Sequence, residues 1–300
     1  VSEPDPSVTV RLRAAGLDPE ALIRLVDSTL DEDLGGGVDV TSAATVPDEA
    51  HAVATFVPRA PGVVAGLDVA ALVMARAARD PVTTTAAASD GDRVVPGQPL
   101  LVCQGRATDL LLGERTALNL LGHLSGVATI TRAWSDAIAG TAAAVRDTRK
   151  TTPLLRALEK YAVRCGGGVN HRMTLSSSAL IKDNHALAAG GVVPAYQRVR
   201  AAYPSLEVEV EVDTLTDALA VVDAGADFVL LDNFSVAELT EAVSLLGDRA
   251  RLEASGGLTL DTAAAVAGTG VDYLAVGALT HSAPVLDIGL DFAEPTAEEG

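Results

Sequence analysis

From about residue 140 onward, short apolar runs recur at an even interval, and each ends in a polar or small residue. The runs are Ala142–Val145, Ala179–Ile181, Glu207–Val212, Phe228–Leu231, Leu252–Ala254 and Tyr273–Val276. Successive markers Glu211, Asp232, Ser255 and Gly277 stand 21, 23 and 22 residues apart. Stretches with helical spacing, such as Leu215–Asp223 and Val236–Leu246, fill the gaps. Repeated strand–turn–helix units with short loops produce this rhythm, and they predict a parallel (β/α) barrel or an incomplete one. A doubly wound open sheet is the competing arrangement, which the pattern alone does not separate. In a barrel the carboxyl ends of the strands converge on one rim, where barrel sites lie. Residues more than a hundred positions apart would then meet there.

The first part of the chain reads differently. Asp18-Pro19-Glu20 supplies an N-cap, a first-turn proline and a first-turn acid for an amphipathic helix through about Leu30. Asp33–Gly37 breaks it, either as a turn or as a glycine-rich phosphate cradle that lacks P-loop spacing. Residues 51–105 are β-rich, interrupted by a helix near Val69–Ala78, and a leucine-spaced helix runs from Thr108 to Ala139. We expect an α/β fold with residues 1–125 as an N-terminal domain and 126–285 as the barrel. The tail 286–300 is free to pack back on the first domain.

Charge narrows the partners. The chain carries 22 Lys and Arg against 40 Asp and Glu, net −18, which argues against nucleic acid or an anionic membrane surface. No apolar run approaches the roughly 18 residues of a membrane span. Val1–Asp5 lacks the basic flank and apolar stretch of a signal peptide. Cys103 and Cys165 are too few for a disulfide scaffold and lack metal-site spacing, so a cytoplasmic location is expected. Against this acidic background, residues 146–182 hold all three lysines and five arginines but only Asp147 and Glu159, a local net of +6. The segment is either a solvated basic face or a pocket for a multiply charged anion.

The rim residues have matching chemistry. Arg149, Lys150, His171, Arg172 and Lys182 are donors for carboxylates and phosphates, with arginine favoured for a planar carboxylate by its bidentate fork. Glu211 and Asp232 can hold Mg²⁺ through water, bind ribose hydroxyls or stabilise positive charge. Glu207, Glu209 and Glu211 share one strand face, so either at least one is paired or functional, or the strand is an edge with a solvated acidic face. Ser255-Gly256-Gly257 and Val276-Gly277-Ala278 end the last two units, where barrels commonly bind phosphate, although each is also an ordinary turn. His123 reads as a satisfied core or interface histidine more readily than as a catalyst, and the role of His281 is open.

The stretches Asp147–Pro153, Glu159–Val163, Gly166–Arg172, Ile181–His185, Glu209–Val212, Leu231–Asn233 and Glu253–Gly257 resemble the quinolinate phosphoribosyltransferase family. So do Glu32–Gly35 and Gly113–Asn119. The resemblance runs from about residue 20 to 292. It implies an N-terminal α/β sandwich domain, a C-terminal open (β/α) barrel and a homodimer, with assembly beyond the dimer left open. The implied reaction joins quinolinate to phosphoribosyl pyrophosphate with loss of CO2, giving nicotinate mononucleotide and pyrophosphate.

By matching motif, Arg115 reaches the neighbouring subunit's substrate, while Arg149, His171, Arg172 and Lys182 surround the quinolinate carboxylates. Thr148 is expected beside them. Lys150 sits near the reacting centre, Glu211 and Asp232 face the ribose, and the Ser255 and Gly277 loops take the 5-phosphate. Lys150, Glu211 and Asp232 are the catalytic candidates. The implied cofactor is Mg²⁺ carried by the diphosphate, with no direct protein ligand and Glu211 and Asp232 as its route to the protein. Two other classes stay in view: a barrel lyase or aldolase with a Schiff base at Lys150 or Lys182, and a non-catalytic phosphosugar-binding protein.

Overall fold

The structure is a computed structural model that describes residues 5–293. In chain order the elements begin with α1 (Pro6–Ala14), α2 (Pro19–Leu34), α3 (Val40–Thr45), β1 (His51–Pro58), β2 (Gly62–Val63) and α4 (Leu67–Ala77). Next come β3 (Thr83–Ala86), β4 (Arg93–Val94), β5 (Leu101–Arg106), α5 (Ala107–Ala137), β6 (Ala144–Arg146), α6 (Arg156–Cys165) and β7 (Ala179–Ile181). They continue with α7 (Asp183–Ala189), α8 (Val192–Ala202), β8 (Val208–Val212), α9 (Leu215–Asp223), β9 (Phe228–Asp232) and α10 (Val236–Leu246). The last are β10 (Arg251–Ser255), α11 (Leu260–Ala267), β11 (Tyr273–Ala275), α12 (Ala278–His281) and β12 (Ile288–Phe292).

Two compact units divide the described residues. One comprises 5–130, 153–166 and 282–293; the other comprises Thr131–Thr152 and Gly167–His281. In the first, an antiparallel sheet of order β12-β1-β5-β3 carries the helices. Asp18 caps α2 by accepting from the Glu20 amide at 3.0 Å, but the helix runs to Leu34 rather than stopping near Leu30. The short α3 has no counterpart in the sequence expectation. Nearly every residue of α4 is buried, so it is apolar all round and forms the centre of this unit.

Its N-terminus begins at Gly66, which has no side chain to cap it, and Asp90 supplies the acceptor from a distant turn. Asp90 accepts from the Gly66 and Leu67 amides at 2.9 and 3.1 Å and from the Tyr161 hydroxyl at 2.6 Å. The segment 153–166 lies within the stretch expected to be barrel but groups with this unit. The Tyr161–Asp90 bond and a 2.8 Å contact from His123 Nε2 to the fully buried Glu159 tie it there. Part of the C-terminal tail also enters, as β12 pairs antiparallel with β1. Residues 1–4 and 294–300, on which the readings of the start and of the acidic end partly fall, lie outside the described residues.

The second unit holds a parallel sheet of order β6-β11-β10-β9-β8-β7. From β7 to β11 each strand pairs with the next in sequence, and β6 closes on β11, so the order never reverses. A doubly wound sheet needs a reversal, which excludes it here. No pairing joins β6 to β7 among the described residues, and the barrel is open. Capping chemistry starts the outer helices: Ser235 and Glu238 form a capping box on α10, and Thr259 accepts from the Thr262 amide on α11. The register puts Ser255 beside Asp232 and Glu211 beside Leu230, which brings the strand-end markers to one rim.

Candidate active site

At that rim a cavity of about 360 Å³ is lined by Thr148, Arg149, Lys150, His171, Arg172, Lys182, Glu211, Asp232, Glu253 and Ser255, with Leu180, Leu230 and Ala275 as apolar wall. A second cavity of about 380 Å³ shares Thr148, Lys150, Asp232, Ser255 and Ala275 with it. The second one extends over Gly256, Gly257, Val276, Gly277, Ala278 and His281. The expected site residues of the barrel thus fall into two adjoining compartments. Arg115 lines a different pocket, in the first unit, with Glu32, Asp33 and Asn119.

The first compartment is built for anions. Burial, and then the charge of Arg149, lower the pKa of Arg172. Arg172 Nη1 donates to the Ser178 carbonyl at 2.9 Å. The Nε–H groups of both Arg149 and Arg172 are buried with no acceptor among the described residues. Buried orphan donors on two neighbouring cations are costly unless an acceptor arrives. Lys182 Nζ lies 2.6 Å from Glu211 Oε2.

The second compartment is shaped by backbone. Gly256 has φ +87°, and a Cβ there would stand 2.2 Å from Asn233 Oδ1. A Cβ on Gly277 would stand 3.0 Å from Lys150 Cδ. Gly256 is the position that only glycine can fill, whereas a Cβ at Gly277 would require the Lys150 side chain to give by a few tenths of an ångström. Thr148 Oγ1 accepts from the Lys150 amide at 3.0 Å, and Thr280 Oγ1 donates to the Lys150 carbonyl at 2.8 Å, holding the Lys150 backbone on both sides.

Beneath the cup lies a charged layer that is hardly legible in the sequence. Arg146 belongs to β6 rather than to the turn after it, and is 7% exposed. Its Nη1 lies 2.6 Å from Glu253 Oε2 and 3.3 Å from Glu209 Oε2, and its guanidinium packs 4.9 and 5.0 Å from the Phe228 and Tyr273 ring centres. His171 Nε2 is 3.1 Å from Glu209 Oε2. Burial pushes Glu209 up to about 7 against the pull of Arg146. Burial and the charge of Glu209 do the same to Glu253. His171, Glu209 and Glu253 have the donor types of a metal site, but the Arg146 guanidinium already supplies the cation between the two acids.

This layer answers the question of the three acids. β8 is an inner strand, and Glu207, Glu209 and Glu211 are paired with Arg251, Arg146 and Lys182 respectively. The alternation Glu-Val-Glu-Val-Glu was a visible signal, but the partners lie on other strands. The basic segment 146–182 is also less unified than its local charge suggests: Arg156, Lys160 and Arg164 fall in the first unit and line neither compartment.

An open parallel barrel with a cation-rich cup beside a glycine-lined groove defines a rim whose chemistry suits anionic small molecules. The family described as "Quinolinate phosphoribosyl transferase, C-terminal domain" matches residues 127–291, and "Quinolinate phosphoribosyl transferase, N-terminal domain" matches residues 39–125. A relative from Mycobacterium leprae, named nicotinate-nucleotide pyrophosphorylase [carboxylating], is 55% identical over 266 residues, covering 87% of this chain and 94% of that protein. Quinolinate phosphoribosyltransferase [decarboxylating] 1 of Nicotiana glauca is 39% identical, covering 89% and 81%. A solved nicotinate-nucleotide pyrophosphorylase from Francisella tularensis superposes with a TM-score of 0.87 at 35% identity, covering 91% of this chain and 96% of that one. The chain belongs to the quinolinate phosphoribosyl transferase family, with its N-terminal α/β sandwich and C-terminal open barrel.

Proposed function

We propose that this protein transfers the phosphoribosyl group of phosphoribosyl pyrophosphate to quinolinate with decarboxylation, releasing pyrophosphate and CO2 and leaving nicotinate mononucleotide. The observation that carries the reading is the pair of buried, acceptor-less Nε–H groups on Arg149 and Arg172, flanked by Lys182 in one cavity. Two adjacent carboxylates on a planar ring would accept from these clustered cations and offset the repulsion between the two guanidinium groups.

Quinolinate then occupies the first compartment, held by Arg149, Arg172 and Lys182 with His171 at its edge. The 5-phosphate of the second substrate lies over Ser255, Gly256, Gly257, Val276, Gly277 and Ala278. Lys150 and Thr148 line both compartments, which supports a position where the ring nitrogen meets the ribose. The nitrogen attacks C1, and the bond from C1 to the pyrophosphate oxygen breaks. Glu211 and Asp232 stabilise the electron-poor ribose, and Lys150 the departing diphosphate. The C2–carboxylate bond breaks next; its electron pair stays on C2 beside the cationic ring nitrogen, and a proton taken up there completes the product. Fixed placement of nitrogen against C1 supplies much of the acceleration.

Mg²⁺ would supply charge neutralisation for the leaving group, with Glu211 and Asp232 as the residues that would hold it. Glu211 and Asp232 fit it: each engages one oxygen with a protein partner, Lys182 and Asn233, and keeps the other without one among the described residues. The Schiff-base reading at Lys150 or Lys182 is not favoured, since the similar proteins are named as phosphoribosyltransferases and pyrophosphorylases, and Lys182 is engaged by Glu211 at 2.6 Å. Location in the cytoplasm is supported by two unbridged cysteines, and no helix among the described residues is long and apolar enough to cross a membrane.

CO2 release from carboxyl-labelled quinolinate, dependent on phosphoribosyl pyrophosphate and Mg²⁺, is the expected result. Folded protein that binds both substrates and releases none across a range of Mg²⁺ is a binder only and overturns the reading. We further propose a homodimer in which Arg115 serves the partner's site. Inactive Arg115→Ala and Lys182→Ala subunits then regain partial activity on mixing, and failure to complement after verified subunit exchange rejects the shared site.

A further inference from the structure

We propose that Glu209 is a positioning residue: it fixes His171 as the Nε2–H tautomer, and the unprotonated Nδ1 then pins the Arg172 amide and aims its guanidinium at the substrate carboxylates. The inference rests on the function proposed above and names how the same cup is held.

The geometry leaves one arrangement of protons. His171 Nδ1 stands 2.6 Å from the Arg172 backbone nitrogen, which is a donor and can only be met by a lone pair. The ring proton of a neutral imidazole is then on Nε2, which faces Glu209 Oε2 at 3.1 Å. Glu209 is 2% exposed, so bulk water does not compete for that contact. Two further groups lock the turn: Asp147 Oδ1 accepts from the His171 amide at 2.8 Å, and its Oδ2 accepts from Asn170 Nδ2 at 2.5 Å. With the Arg172 amide held by the ring and its Nη1 held by the Ser178 carbonyl, the Nε–H is left facing a fixed direction without a partner. Arg146 keeps Glu209 in place from below, shared with Glu253 and packed against two adjacent aromatic rings. Carboxylate and carbonyl partners commonly choose the tautomer of a histidine in this way.

The ring nitrogens are read by ¹⁵N chemical shifts of histidine-labelled protein, with His171→Asn used for assignment. The expected spectrum shows His171 neutral with its proton on Nε2; a proton on Nδ1 overturns the proposal. Two variants separate aim from mere packing. Glu209→Met fills the space without an acceptor and is expected to weaken quinolinate binding about ten-fold by calorimetry, with phosphoribosyl pyrophosphate affinity unchanged. Glu209→Gln keeps an acceptor oxygen and is expected to stay within about two-fold of wild type. A Met variant that binds quinolinate normally, or that loses both ligands equally, overturns the assignment. Should it fail to fold, the wild-type and Gln spectra still decide. Wild-type protein that binds no quinolinate overturns the proposed function and the delivery of Arg172 with it, while the tautomer is read independently of either ligand.

Discussion

Lys182 Nζ stands 2.6 Å from Glu211 Oε2, across the ends of the neighbouring strands β7 and β8. The pair joins a cation and an acid that line one cavity, and under the proposed function the same contact would balance the charges facing each substrate. Removing the lysine leaves Glu211 uncompensated beside an incoming dianion. Lys182→Ala is expected to lower kcat/KM for quinolinate about 100-fold in steady-state assays. A loss under about three-fold would show that Lys182 is a rim ion pair and nothing more.

Arginine forks, rather than positive charge alone, are what the first compartment supplies. Arg172→Lys keeps the charge but loses the buried Nε–H and the bond to the Ser178 carbonyl. The quinolinate KM is expected to rise at least about ten-fold while that for phosphoribosyl pyrophosphate stays near wild type. An unchanged quinolinate KM would mean that a point charge suffices.

In the second compartment Gly256 sits at φ +87°, with no room for a methyl against Asn233 Oδ1. Gly256→Ala must displace Asn233 or the loop, at a cost of about 1–3 kcal/mol in stability. The expected kinetic signature is the reverse of that for Arg172: a raised KM for phosphoribosyl pyrophosphate with the quinolinate KM little changed.

The buried acids beneath the cup make stability depend on pH in a defined direction. Glu209 and Glu253 are each pushed up to about 7, above the value of an unfolded glutamate, so the folded protein holds more protons than the unfolded chain between about pH 4.5 and 7. Their contribution is therefore full at the acid end of that window and lost as pH rises through it. Glu253→Gln removes one of them and lets Arg146 pair with Glu209 alone. The difference in melting temperature, variant minus wild type, is expected to grow more positive from pH 5 to pH 8. A flat or falling difference would contradict the assignment.

In the first unit Asp90 caps α4 from a distance. Asp90→Ala strands two amides and the Tyr161 hydroxyl in a mostly buried setting and is expected to cost about 3 kcal/mol in denaturant unfolding. Tyr161→Phe, which removes only one of the three donors, is expected to cost about 1 kcal/mol.

The even spacing of Glu211, Asp232, Ser255 and Gly277 made the barrel units readable, because a strand, a turn and a helix use a nearly constant length of chain. The same spacing placed Ser255 and Asp232 at one rim, since residues that end neighbouring strands must meet. Composition could not do as much. The basic segment 146–182 looks continuous in sequence, yet Lys160 belongs to a helix of the other unit, and Arg146 lies under the cup as the counter-ion of two acids.

The chain order of residues thus determined the repeated units, the caps that start their helices and the identity of the groups at the strand ends. Only the tertiary structure decided which acid pairs with which cation, that the strand order never reverses, and that Arg149 and Arg172, each with a buried Nε–H, line one cavity. The physical reason is range. Periodicity and capping depend on neighbours a few positions apart, whereas the pairing of Arg146 with Glu209 and Glu253 joins strands 63 and 107 residues apart. Only the packed barrel sets those distances and excludes the water that would otherwise satisfy each group alone.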